Sequence, residues 1–184
     1  MILFVTSLSD EGGGSWRKFF KQKNSKTQGS TQTFKVPLEN CPMSERMPYL
    51  PRVVELCTNE IETRGLETEG LYRVPGNEAV INQLIAEINK GNFDPGSVTD
   101  EWIDIHIATT LLKRFLKQLP DSLIPQCKYQ DFIIAGRAPN QEGMVTRLKE
   151  LIGQLPPANF HTLQRISDNL ATIMEHSEIN KVSF

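Results

Sequence analysis

Of the side chains that could do chemistry here, Arg73 has the most constrained surroundings. The run at 65–77, Gly-Leu-Glu-Thr-Glu-Gly-Leu-Tyr-Arg-Val-Pro-Gly-Asn, places it among Gly65, Gly70, Gly76 and Pro75. Glycine opens backbone conformations and proline closes them, so this loop is expected to hold one shape. An arginine held there has two readings. It is an ordinary solvated cation that satisfies a helix end, which composition alone favours, or a planar, always-charged fork presented to a partner. Lys113 and Lys117 form the second candidate set. They lie four residues apart beside the strongest apolar stripe of the chain, Ile107, Ala108, Leu111, Leu112, Phe115, Leu116 and Leu119. On a helix, that spacing puts both ammonium groups on one face while the opposite side is committed to the core. Such a face is either simply solvated or able to meet an acidic or phosphate-bearing partner.

Other chemistry is not supported. The chain has no Gly-x-x-x-x-Gly-Lys-Ser/Thr phosphate loop, no His-Glu-x-x-His and no Gly-x-Ser-x-Gly. His106, His161 and His176 are scattered. Cys41, Cys57 and Cys127 are odd in number and far apart, with no metal-ligand spacing, and read as reduced, cytosolic thiols. No metal site and no cofactor of the chain's own is expected. Any chemistry would use an arginine contributed to another protein's active site.

The elements that must position these residues read as helices. At 184 residues, 39% hydrophobic and 23% charged, the chain can bury a real core, which excludes a disordered or fibrous protein. Residues 1–33 are different: Trp16, Phe19 and Phe20 stand among Arg17, Lys18, Lys21, Lys23 and Lys26 in a Ser, Gly, Thr and Gln background. That composition describes an unordered basic segment, read either as a solvated linker or as a peripheral contact with an anionic membrane. Beyond residue 34 the charge is 15 basic against 20 acidic, which does not point to nucleic acid. The apolar opening residues 1–8 lack the flanks of a signal peptide and the length of a membrane span.

Residues 34–48 read as extended and proline-punctuated. A helix is expected over about 49–64, with Leu50, Val53, Val54, Cys57 and Ile61 on one face and Gly65 as its stop. Asn77 is a fair N-cap for a second helix that Lys90-Gly91 ends, and 92–101 reads as a turn-rich connection. The helix bearing Lys113 and Lys117 should stop at Pro120. Later helices are carried by Tyr129, Phe132 and Ile133, by Met144, Val145, Leu148, Leu151, Ile152 and Leu155, and by Phe160, Leu163, Ile166, Leu170 and Ile173, with Pro156-Pro157 between the last two. Residues 175–184 read as a polar end without a closing cap. No period-2 strand is convincing, so the fold class is all-α.

These residues resemble the GTPase-activating domain of Rho-family regulators (RhoGAP). Glu-Gly-Leu-Tyr-Arg-Val-Pro-Gly-Asn at 69–77 resembles that family's arginine-finger loop, with Arg73 at the finger. Phe-Lys-Val-Pro-Leu at 34–38 resembles its entry segment, and Leu-Leu-Lys-Arg-Phe-Leu-Lys-Gln-Leu-Pro at 111–120 its core helix. Leu155-Pro156, Asn159, Thr162-Leu163 and Asn180-Lys181 resemble further landmarks. The match covers about four-fifths of the chain, in order, and is nearest in flavour to regulators that also carry PDZ and pleckstrin-homology domains.

The resemblance implies a RhoGAP-type helical bundle over 34–184 that binds a GTP-loaded Rho, Rac or Cdc42 type GTPase. Arg73 would enter the partner's nucleotide site, with Gly70, Tyr72, Lys113 and Lys117 at the interface. Such a domain is an activator and not itself the enzyme; GTP and magnesium belong to the GTPase. It would be cytoplasmic, and membrane-associated if residues 1–33 touch lipid. Lys117 stands where the family usually has arginine, which keeps the charge and loses the bidentate fork. In the family an Asn-Lys-Met landmark precedes a helix with an interface asparagine in an Asn-Leu-Ala-x-x-Phe-Gly-Pro context. Here Val182-Ser183-Phe184 follows Lys181, so the last core helices are expected to be missing, as in a truncated form or splice variant, leaving apolar surface bare. The alternative reading is a module that binds a GTPase without activating it.

Overall fold

Pro51 sets where the first helix starts. It has no amide hydrogen to contribute to a helical ladder, and Tyr49 before it lies at φ 67, so α1 runs Arg52–Glu60 and not from residue 49. The computed structural model describes residues 31–91 and 104–182. The basic and aromatic residues of 1–30, the connection at 92–101 and Ser183-Phe184 lie outside them. Thr31 and Thr33, assigned by sequence to the basic segment, are hydrogen-bonded to Asn89: the Asn89 side-chain oxygen accepts from the Thr33 and Phe34 amides, each at 2.9 Å.

Beyond α1 the chain widens into a π turn over Ile61–Gly65. Gly65 is not a left-handed stop there. It is buried, and a Cβ on it would stand 2.8 Å from Ile105 Cγ1, so the glycine is needed for close packing. Helix α2 (Glu78–Lys90) is capped as expected. The Asn77 side chain accepts from the amides of Ala79 and Val80, and Gly91 closes the helix at φ 76. Helix α3 (Ile105–Lys117) starts at Asp104, whose carboxylate accepts from the His106 amide. It ends at Lys117, earlier than Pro120, because Pro120 disfavours helical backbone at Leu119. Helices α4 (Tyr129–Gly136), α5 (Gln141–Gly153), α6 (Pro157–Glu175) and α7 (Ser177–Asn180) follow, with Pro157 in the first turn of α6.

The core is built on α3. Helix α1 packs against both α3 and α6, α2 packs on α3, and the buried side chains of Phe34, Val54, Cys57, Ile61, Leu71, Ile81, Leu111, Leu112, Phe115 and Ile173 belong to one cluster. Phe34 meets Phe115 edge to face at 5.7 Å, which fastens the entry segment. Helices α4 and α5 pack together, and Phe132, Ile152, Leu155, Phe160 and Leu163 form a smaller second cluster. Among the described residues no strand occurs, only an isolated bridge between Met43 and Pro51, and the all-α class holds.

One expectation about α6 is corrected. Phe160, Leu163, Ile166 and Leu170 are only half-buried, whereas Asn159, Thr162, Asn169 and Ile173 face the interior. The helix is turned so that a mainly polar line ending at Ile173 lies deeper than the rest of its apolar stripe. The polar end is corrected too: α7 forms, and Asn180 is fully buried.

Candidate functional site

Arg73 is exposed, and its guanidinium has no hydrogen-bond or ion-pair partner among the described residues. Its backbone is the opposite case. The Gly70 carbonyl accepts from the amides of Arg73 at 2.8 Å and Val74 at 2.9 Å, closing a tight turn under the arginine. Gly70 sits at φ 76, and a Cβ there would lie 2.9 Å from Val74 Cγ2, so this turn needs glycine. Tyr72 also takes the left-handed conformation, at φ 65. For a residue with a Cβ this costs about 1–2 kcal/mol and persists only where the surroundings impose it.

Those surroundings come from five elements. The Lys113 ammonium on α3 donates to the Tyr72 carbonyl at 2.6 Å. One turn earlier on α3, the Thr110 hydroxyl accepts from the Gly76 amide at 3.0 Å. A Cβ on Gly76 would come within 2.8 Å of the His106 carbonyl and the Ile107 backbone, so the loop lies directly on α3. The Arg114 guanidinium reaches both carboxylate oxygens of Glu78, at 2.8 and 2.9 Å, and ties the first turn of α2 to α3. On the other side, the Asn180 carbonyl accepts from the Gly70 amide at 3.0 Å, while its side-chain amide donates to the carbonyls of Leu66 and Ile173.

The Tyr72 side chain is anchored separately. Its hydroxyl donates to Asn169 Oδ1 at 3.1 Å. Burial, chiefly, pushes that phenol well above its ordinary value, with lesser contributions from Cys57 and Glu62 and an opposing one from Arg165, so it stays a donor. Asn169 Nδ2 donates to the Thr58 carbonyl at 3.2 Å and to Glu62 Oε1 at 2.9 Å. Glu62 is in turn clamped by Arg165 through two bonds of 2.8 Å, and the same guanidinium donates to Thr58 Oγ1 and Asn59 Oδ1.

The expected site residues are thus gathered unevenly. Gly70, Tyr72, Arg73 and Lys113 line one groove of about 530 Å³, together with Leu112, Leu116, Ile166, Leu170 and Lys181. Lys117, exposed one turn further along α3, is not in that lining. The groove has an apolar floor and a rim of three cations, a surface suited to an anionic partner with an apolar contact at its centre. Sequence reasoning missed Thr110, Glu62, Arg165 and Asn169. A signal existed for Asn169, a polar residue spaced three after Ile166 and four before Ile173; nothing in the sequence pairs Arg165 with Glu62, 103 residues away. No group of three His, Cys, Asp or Glu side chains that could hold a metal occurs among the described residues, and none of their helices is long and apolar enough to cross a membrane.

The stretch that carries this braced arginine loop and most of the helical bundle, residues 51–184, fits the RhoGAP domain. The chain belongs to the RhoGAP domain family. It is 41% identical over 169 residues to Rho GTPase-activating protein 21-B of Xenopus laevis, which aligns 92% of this chain with 9% of that protein. Rho GTPase-activating protein 21 of Mus musculus is 39% identical over 173 residues, with the same coverage. The chain therefore spans about a tenth of the length of these relatives. Among solved structures, human Rho GTPase activating protein 15 superposes with a TM-score of 0.77 at 30% identity, covering 84% of this chain and 72% of that one.

Proposed function

We propose that this domain binds a Rho-family GTPase in its GTP-bound state and accelerates hydrolysis by inserting Arg73 into the partner's nucleotide site. The observation that carries the proposal is the contrast at Arg73: a free, exposed guanidinium on a backbone tied down by Lys113, Thr110 and Asn180. A cation held this way needs little reorganisation when it meets charge developing on a transferring phosphoryl group. The names of the relatives, Rho GTPase-activating proteins, support the same partner class.

In this reading the GTPase supplies nucleotide, magnesium and the attacking water, and this chain supplies no cofactor. Gly70 and Tyr72 shape the turn under the arginine. Lys113 uses one of its three donors on the loop and keeps two for the partner, and Lys117 adds charge at the margin of the contact.

An arginine supplied in trans is worth about 10³–10⁵ in rate in the Ras system. Single-turnover GTP hydrolysis on Rho, Rac and Cdc42 type GTPases should therefore fall by about 10³-fold with Arg73→Ala, while retention of the GTP-analogue-loaded GTPase persists. Equal rates from wild type and variant would remove the arginine from the mechanism. Retention of the GTPase with no stimulation by the wild type would leave a binding module only.

A further inference from the structure

Tyr72 is held at both its side chain and its backbone. It precedes the arginine, occupies a conformation unfavourable to its own side chain, and is the only loop residue whose side chain and carbonyl are each held by a different helix among the described residues. Lys113 accounts for the carbonyl. The side chain is held by a line of hydrogen bonds that starts on α6 and returns through the π turn.

Each bond in that line has a determined direction. The Thr58 hydroxyl donates back to the Val54 carbonyl at 2.8 Å, so towards Arg165 Nε it can only accept. Arg165 also donates to Asn59 and, through two nitrogens, to both oxygens of Glu62. Glu62 so oriented accepts from Asn169 Nδ2. With its amide nitrogen committed to Glu62 and to the Thr58 carbonyl, fully buried Asn169 must turn its oxygen to the Tyr72 hydroxyl. Every member has its partners, the condition under which a buried polar network specifies one geometry.

We propose that Arg165, Glu62 and Asn169 are positioning residues for the arginine loop: they hold Tyr72 in its left-handed conformation and thereby set the direction in which Arg73 is presented. They touch neither a nucleotide nor a partner; they act through Tyr72. The proposal rests on the proposed role of Arg73 for its effect on rate, but not for its effect on the loop.

Two readouts on the 184-residue chain test it. Tyr72→Phe deletes one hydroxyl, and Arg165→Met keeps the aliphatic stem and deletes the fork. Each should lower the maximal single-turnover rate by about tenfold while the half-saturating concentration of the domain changes less than about threefold, the mark of lost alignment and not lost binding. The second readout needs no GTPase. Trypsin should cut after Arg73 about fivefold faster relative to its cut after exposed Arg137, because the loop opens without the rest of the domain.

A wild type that stimulates, with both variants within twofold of it, overturns the inference, as does equal acceleration of the two tryptic cuts. If the wild type stimulates no GTPase, the proposed function fails and the cleavage ratio alone decides: an unchanged ratio overturns the network's role. Should Arg165→Met not fold, Tyr72→Phe carries both readouts.

Discussion

Gly76 shows how a single atom can decide the placement of the loop. Three backbone atoms of α3 lie 2.8 Å from where its Cβ would be, and backbone cannot turn aside as a side chain can. Gly76→Ala should therefore lift the loop from α3, break the bond from the Gly76 amide to Thr110, and cost about 1–3 kcal/mol in a urea melt. An unchanged midpoint would mean that the loop sits elsewhere. The thiols follow the same local logic. Burial, with Glu39 adding to it, pushes Cys41 from 9.0 up to about 12, and burial with Glu60 raises Cys57 as well, whereas Cys127 is exposed. At pH 8 one thiol of the three should react promptly with a disulfide reagent and the other two only on unfolding. The linkage sign follows from the raised values. Both buried thiols favour the folded state fully below the unfolded value of 9.0, and that contribution falls as pH climbs from there, towards about 12 for Cys41 and further for Cys57. Stability measured by urea should decline over that alkaline range, and a rise would contradict the burial.

Helix α6 carries more than its hydrophobic pattern implied. Its apolar positions are divided among the main core, through Ile173, the groove floor, through Ile166 and Leu170, and the small second cluster, through Phe160 and Leu163. On the deep line beside Ile173 lie two asparagines that hydrogen-bond, Asn159, whose amide reaches the Leu123 carbonyl, and Asn169. Helix α7 is too short to be stable by itself and is held by its last residue, Asn180, whose side chain is locked into the interior. Asn180→Ala would strand the carbonyls of Leu66 and Ile173 in the interior. It should cost about 2–4 kcal/mol and loosen the Gly70 turn, which a denaturant melt together with amide exchange at Gly70 would show. Both ends of α2, by contrast, were readable in advance. Asn77 and Gly91 act through bonds to residues two to four positions away, so their neighbours in the chain are enough to predict them.

At the scale of the whole molecule, the arginine loop is where separate parts of the chain converge: the π turn and α2 bound it, α3 lies beneath it, and α6 and α7 hold it from the far side. The sequence by itself determined the helical class, both ends of α2, the main apolar core, and the loop with Arg73 at its tip. All of these rest on interactions within about one turn of chain or on the period of apolar residues. The groove partners Gly70, Tyr72 and Lys113 were legible as well, through an ordered series of motifs. Only the tertiary structure decided that α1 starts at Arg52, that Gly65 is a packing glycine, that α6 is rotated onto a mainly polar line, and that Lys117 stands apart from the groove. It alone joined Tyr72 to Asn169 and Arg165 to Glu62 across separations of 97 and 103 residues. The reason is physical: a hydrogen bond is directional and short-ranged, and leaves no periodic trace in a sequence. Which donors and acceptors meet is settled only when the apolar faces have packed and fixed the distances between them.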